Sequence, residues 1–301
     1  MKLSFALALG AATLPMVASA ADLIDATPRI AVMSAFEPEW QVLLKDLEGA
    51  QEHKLMGRRF VTGKLGGKDV VLFLSGVSMV NAAMTTQQAI DHFSIKAIVF
   101  SGIAGGVDPG LSIGDVVVSD QWGQYLEAIF ARETDGKFAV PPFLDTQFPN
   151  YGMIYPNETE VLREGIDKPE DRFWFPVDGK LLETAKAVAS SVTLEKCAGE
   201  GKCLAHEPKI VVGGNGVSGQ AFVDNKAFRE FTYATFKARV LDMESAATAH
   251  VAYVNKVPFI AFRSLSDLAG GGEGANEMGV FFALASANSA KVVEAFVAKL
   301  P

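Results

Sequence analysis

Cysteine and histidine are scarce in this chain of 301 residues, which holds two cysteines and four histidines. A structural zinc site takes four ligands, and only His206 stands near the cysteine pair. The H-E-x-x-H motif of zinc proteases does not occur either. We therefore expect no metal centre. A local disulfide between Cys197 and Cys203 is the preferred interpretation of the cysteine pair.

Positive charge is the minority sign, with 27 Lys and Arg residues against 35 Asp and Glu residues and a net charge of −8. A protein of this charge is a poor ligand for nucleic acid or for an anionic membrane surface. We therefore predict a small-molecule partner and neither nucleic acid nor a membrane.

The apolar run at the N-terminus, residues 3–14, is too short to span a bilayer. It follows the positive charge of Lys2 and precedes Ala18-Ser19-Ala20, a small-residue cleavage site. We predict a signal peptide over residues 1–20 and a periplasmic or secreted protein, which also suits a disulfide.

Apolar runs typical of strands alternate with segments of helical periodicity from residue 29 onward. The predicted strands are 29–34, 60–65, 70–74, 97–100, 115–119, 209–212, 238–241 and 258–262. The predicted helices are 38–47, 80–93, 181–192, 225–235, 245–255 and 277–299. This order predicts an α/β fold, a three-layer α/β/α sandwich with a mixed, largely parallel central sheet.

Residues 121–205 are less regular and richer in aromatic residues, proline and charge. Because the strand pattern resumes at residue 209, we interpret this segment as an insertion in a single domain of residues 21–301. Its role is open at this point.

A glycine motif, Gly214-Asn215-Gly216-Val217-Ser218-Gly219, matches the G-x-G-x-x-G fingerprint of dinucleotide-binding folds. In those folds a helix begins within the glycines and its N-terminus holds the pyrophosphate. Here residues 220–223 are predicted to be extended, and the preferred helix caps are Asp224 and Asn225. We therefore predict no dinucleotide and no other organic cofactor.

Carboxylates follow three of the predicted strands. Glu39 comes after the first strand, Asp242 and Glu244 follow the strand 238–241, and Asp267 follows the strand 258–262. In open α/β sheets ligands bind at the carboxyl ends of strands. Acids delivered to that edge predict acid/base chemistry.

Five segments, in this order, resemble the nucleoside phosphorylase superfamily, and within it the 5′-methylthioadenosine/S-adenosylhomocysteine nucleosidases. They are Ile30-Ala31-Val32-Met33-Ser34-Ala35-Phe36-Glu37-Pro38-Glu39, Ser101-Gly102-Ile103-Ala104-Gly105-Gly106 with the strand after it, Ser218-Gly219-Gln220-Ala221-Phe222-Val223, Leu241-Asp242-Met243-Glu244-Ser245-Ala246-Ala247 and Arg263-Ser264-Leu265-Ser266-Asp267.

The resemblance implies a role for ten residues. Asp267, oriented by Ser266, would protonate the leaving purine, and Glu39 would take a proton from the attacking water. Glu244 would bind the ribose hydroxyls and Met243 would pack on the sugar. Phe222 would stack on the purine, and the backbone of Val223 would contact its edge. The glycine-rich turn would supply Ile103, Ala104 and Gly105.

Hydrolysis is favoured over phosphorolysis, because phosphorylases of the superfamily carry an arginine just before the glycine-rich turn and this chain has Val99-Phe100-Ser101 there. The predicted function is therefore hydrolysis of an adenine nucleoside such as 5′-methylthioadenosine or S-adenosylhomocysteine. Two alternatives stay open: a purine nucleoside phosphorylase, and a non-catalytic nucleoside-binding or storage protein. Ile103 favours the second, because nucleosidases usually have a hydroxyl residue at this position.

The resemblance also implies a homodimer. Aromatic residues of the insertion, Trp122, Tyr125 and Phe173 to Phe175, are the candidates for its interface.

Overall fold

A computed structural model describes residues 23–198, 201–272 and 274–301. The signal peptide predicted for residues 1–20 lies outside the described residues.

Helices and strands alternate through the described chain. The helices are α1 Glu37–Lys45, α2 Met79–His92, α3 Gly179–Ala189, α4 Lys226–Phe236, α5 Ser245–Val254 and α6 Met278–Lys299. The strands are β1 Asp25–Ser34, β2 Glu48–Leu55, β3 Arg58–Leu65, β4 Lys68–Leu74, β5 Phe93–Gly106, β6 Val116–Val118, β7 Gln121–Gln124, β8 Ala128–Phe130, β9 Arg132–Thr134, β10 Lys137–Ala139, β11 Ile154–Pro156, β12 Thr159–Val161, β13 Glu170–Arg172, β14 Trp174–Pro176, β15 Ile210–Val212, β16 Asn215–Ser218, β17 Ala238–Asp242 and β18 Phe259–Asp267.

Twelve of the described strands form one mixed sheet, whose main path is β14-β7-β16-β17-β5-β1-β4-β3-β2. The long strand β5 joins its parts. It runs parallel to β1 on one side and to β18 on the other, and its last two residues, Gly105 and Gly106, pair antiparallel with β17. This arrangement gathers the ends of β5, β17 and β18 at one place.

Two groups of helices cover the sheet: α2 packs on α5, while α1 and α3 pack on α6. By length and apolar composition alone α6 could span a membrane. In this fold it is a core helix, with Leu284, Val293 and Phe296 buried. The predicted α/β fold with a mixed sheet is confirmed, and the sheet is partly parallel. Each predicted helix lies within three residues of its observed bounds.

Three differences from the predicted strands have physical reasons. β5 continues through the segment predicted as a glycine-rich turn, and β18 continues from residue 262 to Asp267. The two segments pair with each other, Gly102 opposite Arg263, so tertiary pairing extends both strands. β2 was not predicted, because this polar and mostly exposed strand lacks an apolar alternation.

Four of the five aromatic residues proposed for a dimer interface lie in the interior of the chain, and the prediction is wrong for these four, whereas Trp174 is only partly buried. Trp122, Tyr125 and Phe175 are at most 1% exposed and Phe173 is 4% exposed. The reason is that β7 and β14, which carry or flank these residues, pair with each other and extend the main sheet. Their rings therefore pack under α4 and α5, where Phe173 stacks on Phe236.

The cysteine pair forms the predicted disulfide, between Cys197 and Cys203. Leu204, the next residue, packs in a small apolar cluster with Ile113 and Leu284. The disulfide thus closes a short loop at the end of the insertion, and Leu204 packs this end against α6.

Candidate active site

One cavity of about 200 Å³ lies at the ends of β5, β17 and β18. All ten residues proposed for the site line it. They are Glu39, Ile103, Ala104, Gly105, Phe222, Val223, Met243, Glu244, Ser266 and Asp267. Segments separated by more than two hundred positions in the sequence therefore line one cavity, as expected for ligand sites at strand ends.

Glu39 lies in the first turn of α1 and is 3% exposed. The backbone N–H of Ile103 donates to its Oε1 at 2.8 Å, and those of Ala35 and Phe36 donate to Oε2 at 3.0 and 3.1 Å. Burial raises the pKa of Glu39, while the positive charge of Arg263 and the three N–H donors act in the opposite direction. The three N–H donors thus fix the direction of the Glu39 carboxyl group.

Arg263 lies among the carboxylates of the site. The guanidinium is fully buried and lies on the Phe100 ring, with Cζ 4.1 Å from the ring centroid. Its Nε lies 2.7 Å from Asp242 Oδ2 and its Nη2 lies 3.5 Å from Glu244 Oε2. Nη1 donates to the Ile103 carbonyl at 3.3 Å. The buried Arg263 cation is therefore paired with two buried carboxylates, those of Asp242 and Glu244.

Gly102 makes this approach possible. A Cβ at this position would lie 2.9 Å from Glu39 Oε1 and still closer to Arg263 Nη1. Glycine is therefore needed at this position of β5, because the Glu39 carboxylate and the Arg263 guanidinium lie where a Cβ would be.

Asp242, the last residue of β17, holds the start of α5. Its Oδ1 accepts hydrogen bonds from the Ser218 hydroxyl and from the backbone N–H groups of Glu244 and Ser245, the latter two at 3.1 Å. A carboxylate at a helix N-terminus is stabilised by the free N–H groups and by the helix dipole. Asp242 thereby fixes the chain at the point where Glu244 enters the cavity.

Glu244 is 5% exposed and accepts a hydrogen bond from the Ser78 backbone N–H at Oε1, over 2.8 Å. Burial is the main reason why its pKa is raised, and the negative charges of Asp242 and Glu39 raise it further. Arg263 and the Ser78 N–H oppose the rise. Glu244 therefore retains a proton more readily than an isolated glutamate would.

Asp267 faces the cavity from the end of β18 and is 5% exposed. The backbone N–H of Ala269 donates to Oδ1 at 2.8 Å, and the Ser266 hydroxyl donates to Oδ2 at 2.9 Å. Burial raises the pKa of Asp267 despite these donors. A carboxyl group with a raised pKa is suited to act as a general acid near neutral pH.

The opposite wall is apolar. Phe222 is 59% exposed although it lines the cavity, so that its ring is free to cover a flat ligand. The segment that carries Phe222 is fixed on both sides of this residue. The Tyr125 hydroxyl donates to the Ala221 carbonyl at 3.4 Å, and Asn225 caps α4. Residues 220–225 precede α4, as predicted from the helix caps at Asp224 and Asn225.

Two features of the site were not predicted from the sequence. They are the buried ion pair between Asp242 and Arg263 and the contact of Ser78 with Glu244. A charged residue inside the apolar run 259–265 was the available signal for Arg263, since an arginine is rarely buried without a partner. Nothing in the local sequence indicated Ser78. Further lining residues are Ala35, Phe36, Val77, Ala221, Leu241, Asp242 and Met278.

Within residues 23–198, 201–272 and 274–301, no group of three or more His, Cys, Asp or Glu side chains is arranged to hold a metal ion. The carboxylates of the cavity are instead paired with Arg263 and with backbone N–H groups.

Fold and cavity together define an α/β protein with a cavity at the ends of its central strands. The chain belongs to the Phosphorylase superfamily, whose sequence profile matches residues 29–298.

Two kinds of relative are similarly close. The chain is 30% identical over 242 residues to a 5′-methylthioadenosine/S-adenosylhomocysteine nucleosidase of Listeria monocytogenes, covering 80% of this chain and 86% of the relative. It is 29% identical over 260 residues to bark storage protein B of Populus deltoides, covering 82% of this chain and 79% of the relative. The crystal structure of the Neisseria meningitidis nucleosidase with methylthio-immucillin-A matches with a TM-score of 0.68 at 27% identity, covering 90% and 99% of the two chains.

Proposed function

We propose that the protein hydrolyses the N-glycosidic bond of an adenine nucleoside, with 5′-methylthioadenosine or S-adenosylhomocysteine as the substrate type. The observation that carries this proposal is the meeting of Glu39, Glu244 and Asp267 in one cavity whose other wall carries Phe222. The similarity to nucleosidases named for these two compounds supports the choice of substrate.

We assign protonation of the leaving base to Asp267. Breaking the bond between the sugar carbon and the purine nitrogen moves an electron pair onto the base, and a proton from Asp267 to a ring nitrogen lets the base leave as a neutral molecule. Burial raises the pKa of Asp267, which favours the protonated form, and the Ser266 hydroxyl and Ala269 N–H fix the direction of the carboxyl group. Such assistance is typically worth 10²–10⁴-fold in rate.

Attack on the sugar is assigned to water and Glu39. The water oxygen forms the new bond to the sugar carbon and its proton passes to the ionised Glu39. Three backbone N–H donors hold this carboxylate in place while leaving lone pairs for the water. Glu244 accepts hydrogen bonds from the ribose hydroxyls, which places the sugar between the two acids.

Phosphate is a less suitable nucleophile for electrostatic reasons. An oxyanion needs cationic groups that are free to bind it. Arg263 is instead engaged by Asp242, Ser245 and Glu244, and the nearby carboxylates would repel an anion. This arrangement favours hydrolysis over phosphorolysis.

A second candidate function is nucleoside binding without turnover. The similarity to a bark storage protein favours it, and so does Ile103, which places an apolar side chain beside the nucleophile's position.

One assay separates these functions. The purified protein is incubated with 5′-methylthioadenosine with and without phosphate, and adenine is measured by liquid chromatography. We expect adenine and free methylthioribose without phosphate. Release that requires phosphate would indicate a phosphorylase, and calorimetric binding without release would indicate the binding protein.

We also propose an exported homodimer. The sequence of residues 1–20 and the disulfide support export. The family resemblance supports the dimer, for which α2 offers the exposed side chains of Val80 and Met84. Analytical ultracentrifugation of the wild-type protein and of Val80→Glu tests the dimer, with a monomeric variant expected.

A further inference from the structure

The turn between β4 and α2 contains a residue in a backbone conformation that favours glycine. Ser78, directly before α2, has a φ of 80° and a ψ of 162°. A side chain with a Cβ makes this region costly, and such residues persist where the surrounding structure fixes them, often at functional sites. The hydroxyl does not explain the conformation, because within the described structure it makes no hydrogen bond that caps α2.

The backbone of Ser78 contacts the active site. Its N–H donates to Oε1 of Glu244 at 2.8 Å, although the two residues are 166 positions apart. The other carboxylate oxygen, Oε2, lies 3.5 Å from Arg263 Nη2. Donors from two different elements therefore hold Glu244 from two directions, and a hydrogen bond to a charged group is stronger than one between neutral groups.

Neighbouring side chains tie down the turn. Arg58 donates to the Ser75 carbonyl and to Asn81 Oδ1, each at 3.1 Å. Asn81 Nδ2 in turn donates to the Val77 carbonyl at 2.8 Å, and the Thr85 hydroxyl donates to the Ser75 carbonyl at 2.9 Å. These contacts fix the chain on both sides of Val77 and so maintain the unfavourable conformation of the next residue.

We propose that Ser78 is a positioning residue, whose backbone N–H sets the direction of the Glu244 carboxylate toward the ribose hydroxyls of the substrate. The ribose part of this inference rests on the proposed function. A carboxylate oxygen has two lone pairs. With one lone pair of Oε1 bonded to the turn, the remaining acceptor sites are turned to the cavity that Glu244 lines.

The direct test removes only the N–H. Incorporation of the α-hydroxy acid analogue of serine at position 78 replaces the amide by an ester and keeps the side chain. A matched ester at Val80, in the first turn of α2, is the control, because N–H groups in a first turn have no partner within the helix. We expect the ester at position 78 to raise KM for 5′-methylthioadenosine about tenfold or more, the order for one hydrogen bond to a charged group.

A second readout distinguishes positioning from a purely structural role. The inhibition constant of an analogue without the 2′ and 3′ hydroxyls should be the same for the ester and the wild type. Equal weakening of both ligands, or a KM within twofold of wild type, overturns the proposal. If the ester protein does not fold, Asn81→Ala loosens the same turn instead. This variant must raise KM for 5′-methylthioadenosine without weakening the analogue that lacks the hydroxyls. Asp91→Ala, at the other end of α2, is its control.

The positioning role can be judged even if the nucleosidase function fails. If the wild type neither binds nor cleaves the nucleoside, the proposed function is wrong, and the ionisation of Glu244 is followed instead by NMR of the ¹³C-labelled carboxyl group. Loss of the Ser78 N–H donor should raise the pKa of Glu244, because this donor stabilises the charged form. An unchanged titration overturns the proposal.

Discussion

Replacing Asp267 by asparagine removes the proposed general acid and leaves its surroundings almost unchanged. The amide oxygen can still accept from the Ala269 N–H, now 2.8 Å from Oδ1, and the amide nitrogen can donate to the Ser266 hydroxyl, now 2.9 Å from Oδ2. The substitution also adds no charge to a site that is 5% exposed. We therefore expect a folded protein that binds the nucleoside.

The expected loss is in the chemical step. General-acid assistance is typically worth 10²–10⁴-fold, which corresponds to about 3–5 kcal/mol of activation free energy. Because burial raises the pKa of Asp267, ionising this carboxyl group costs more in the folded protein than in the unfolded chain, so the neutral asparagine should cost little stability. We predict that Asp267→Asn lowers kcat by 10²–10⁴ while the melting temperature stays within a few degrees.

Turnover is measured as adenine released from 5′-methylthioadenosine, and binding is measured by calorimetry. Asp115→Asn is the matched control, since Asp115 is equally buried but holds the backbone of Ser112 and Lys209 outside the cavity. This control should lose stability and retain kcat. A kcat of Asp267→Asn within tenfold of wild type would refute the assignment of Asp267 as the acid.

Three further predictions follow from the same cavity. Arg263→Met should lower the free energy of unfolding by about 3–5 kcal/mol, measured by urea denaturation, because it leaves buried carboxylates without their cation; a loss below 1 kcal/mol would contradict this. The pKa of Glu244 is raised from 4.5 to about 7, so its stabilising contribution is complete below pH 4.5 and is lost as the pH rises through 7. The wild type should therefore lose up to ~3 kcal/mol of unfolding free energy between pH 4.5 and pH 7 through Glu244, and Glu244→Gln should abolish this loss. If the pH profile of unfolding free energy is the same in the variant, Glu244 is not its cause. Phe222 is 59% exposed, so Phe222→Ala should change the free energy of unfolding by less than about 0.5 kcal/mol. The loss of stacking should weaken nucleoside binding by about 1–3 kcal/mol, measured by calorimetry. Undiminished affinity would rule out stacking.

Periodicity in the sequence was sufficient for the larger elements. The apolar runs around Val32 and Val99 are buried on both sides of the sheet, so that their strands are visible without any tertiary information. Helices such as α2 and α6 show the same agreement. The polar strand β2 and the continuation of β5 to Gly106 could not be predicted in this way, because only pairing with a neighbouring strand makes them extended.

The amino-acid sequence by itself determined the alternation of strands and helices, the disulfide pair and the carboxylates that follow particular strands, since all of these depend on neighbouring residues. Only the tertiary structure decided that Arg263 would sit among Glu39, Asp242 and Glu244, and that a strained backbone at Ser78 would reach Glu244. Ion pairs and proton affinities inside a protein depend on burial and on distances between residues far apart in the chain, and these quantities exist only after the strands have been brought side by side.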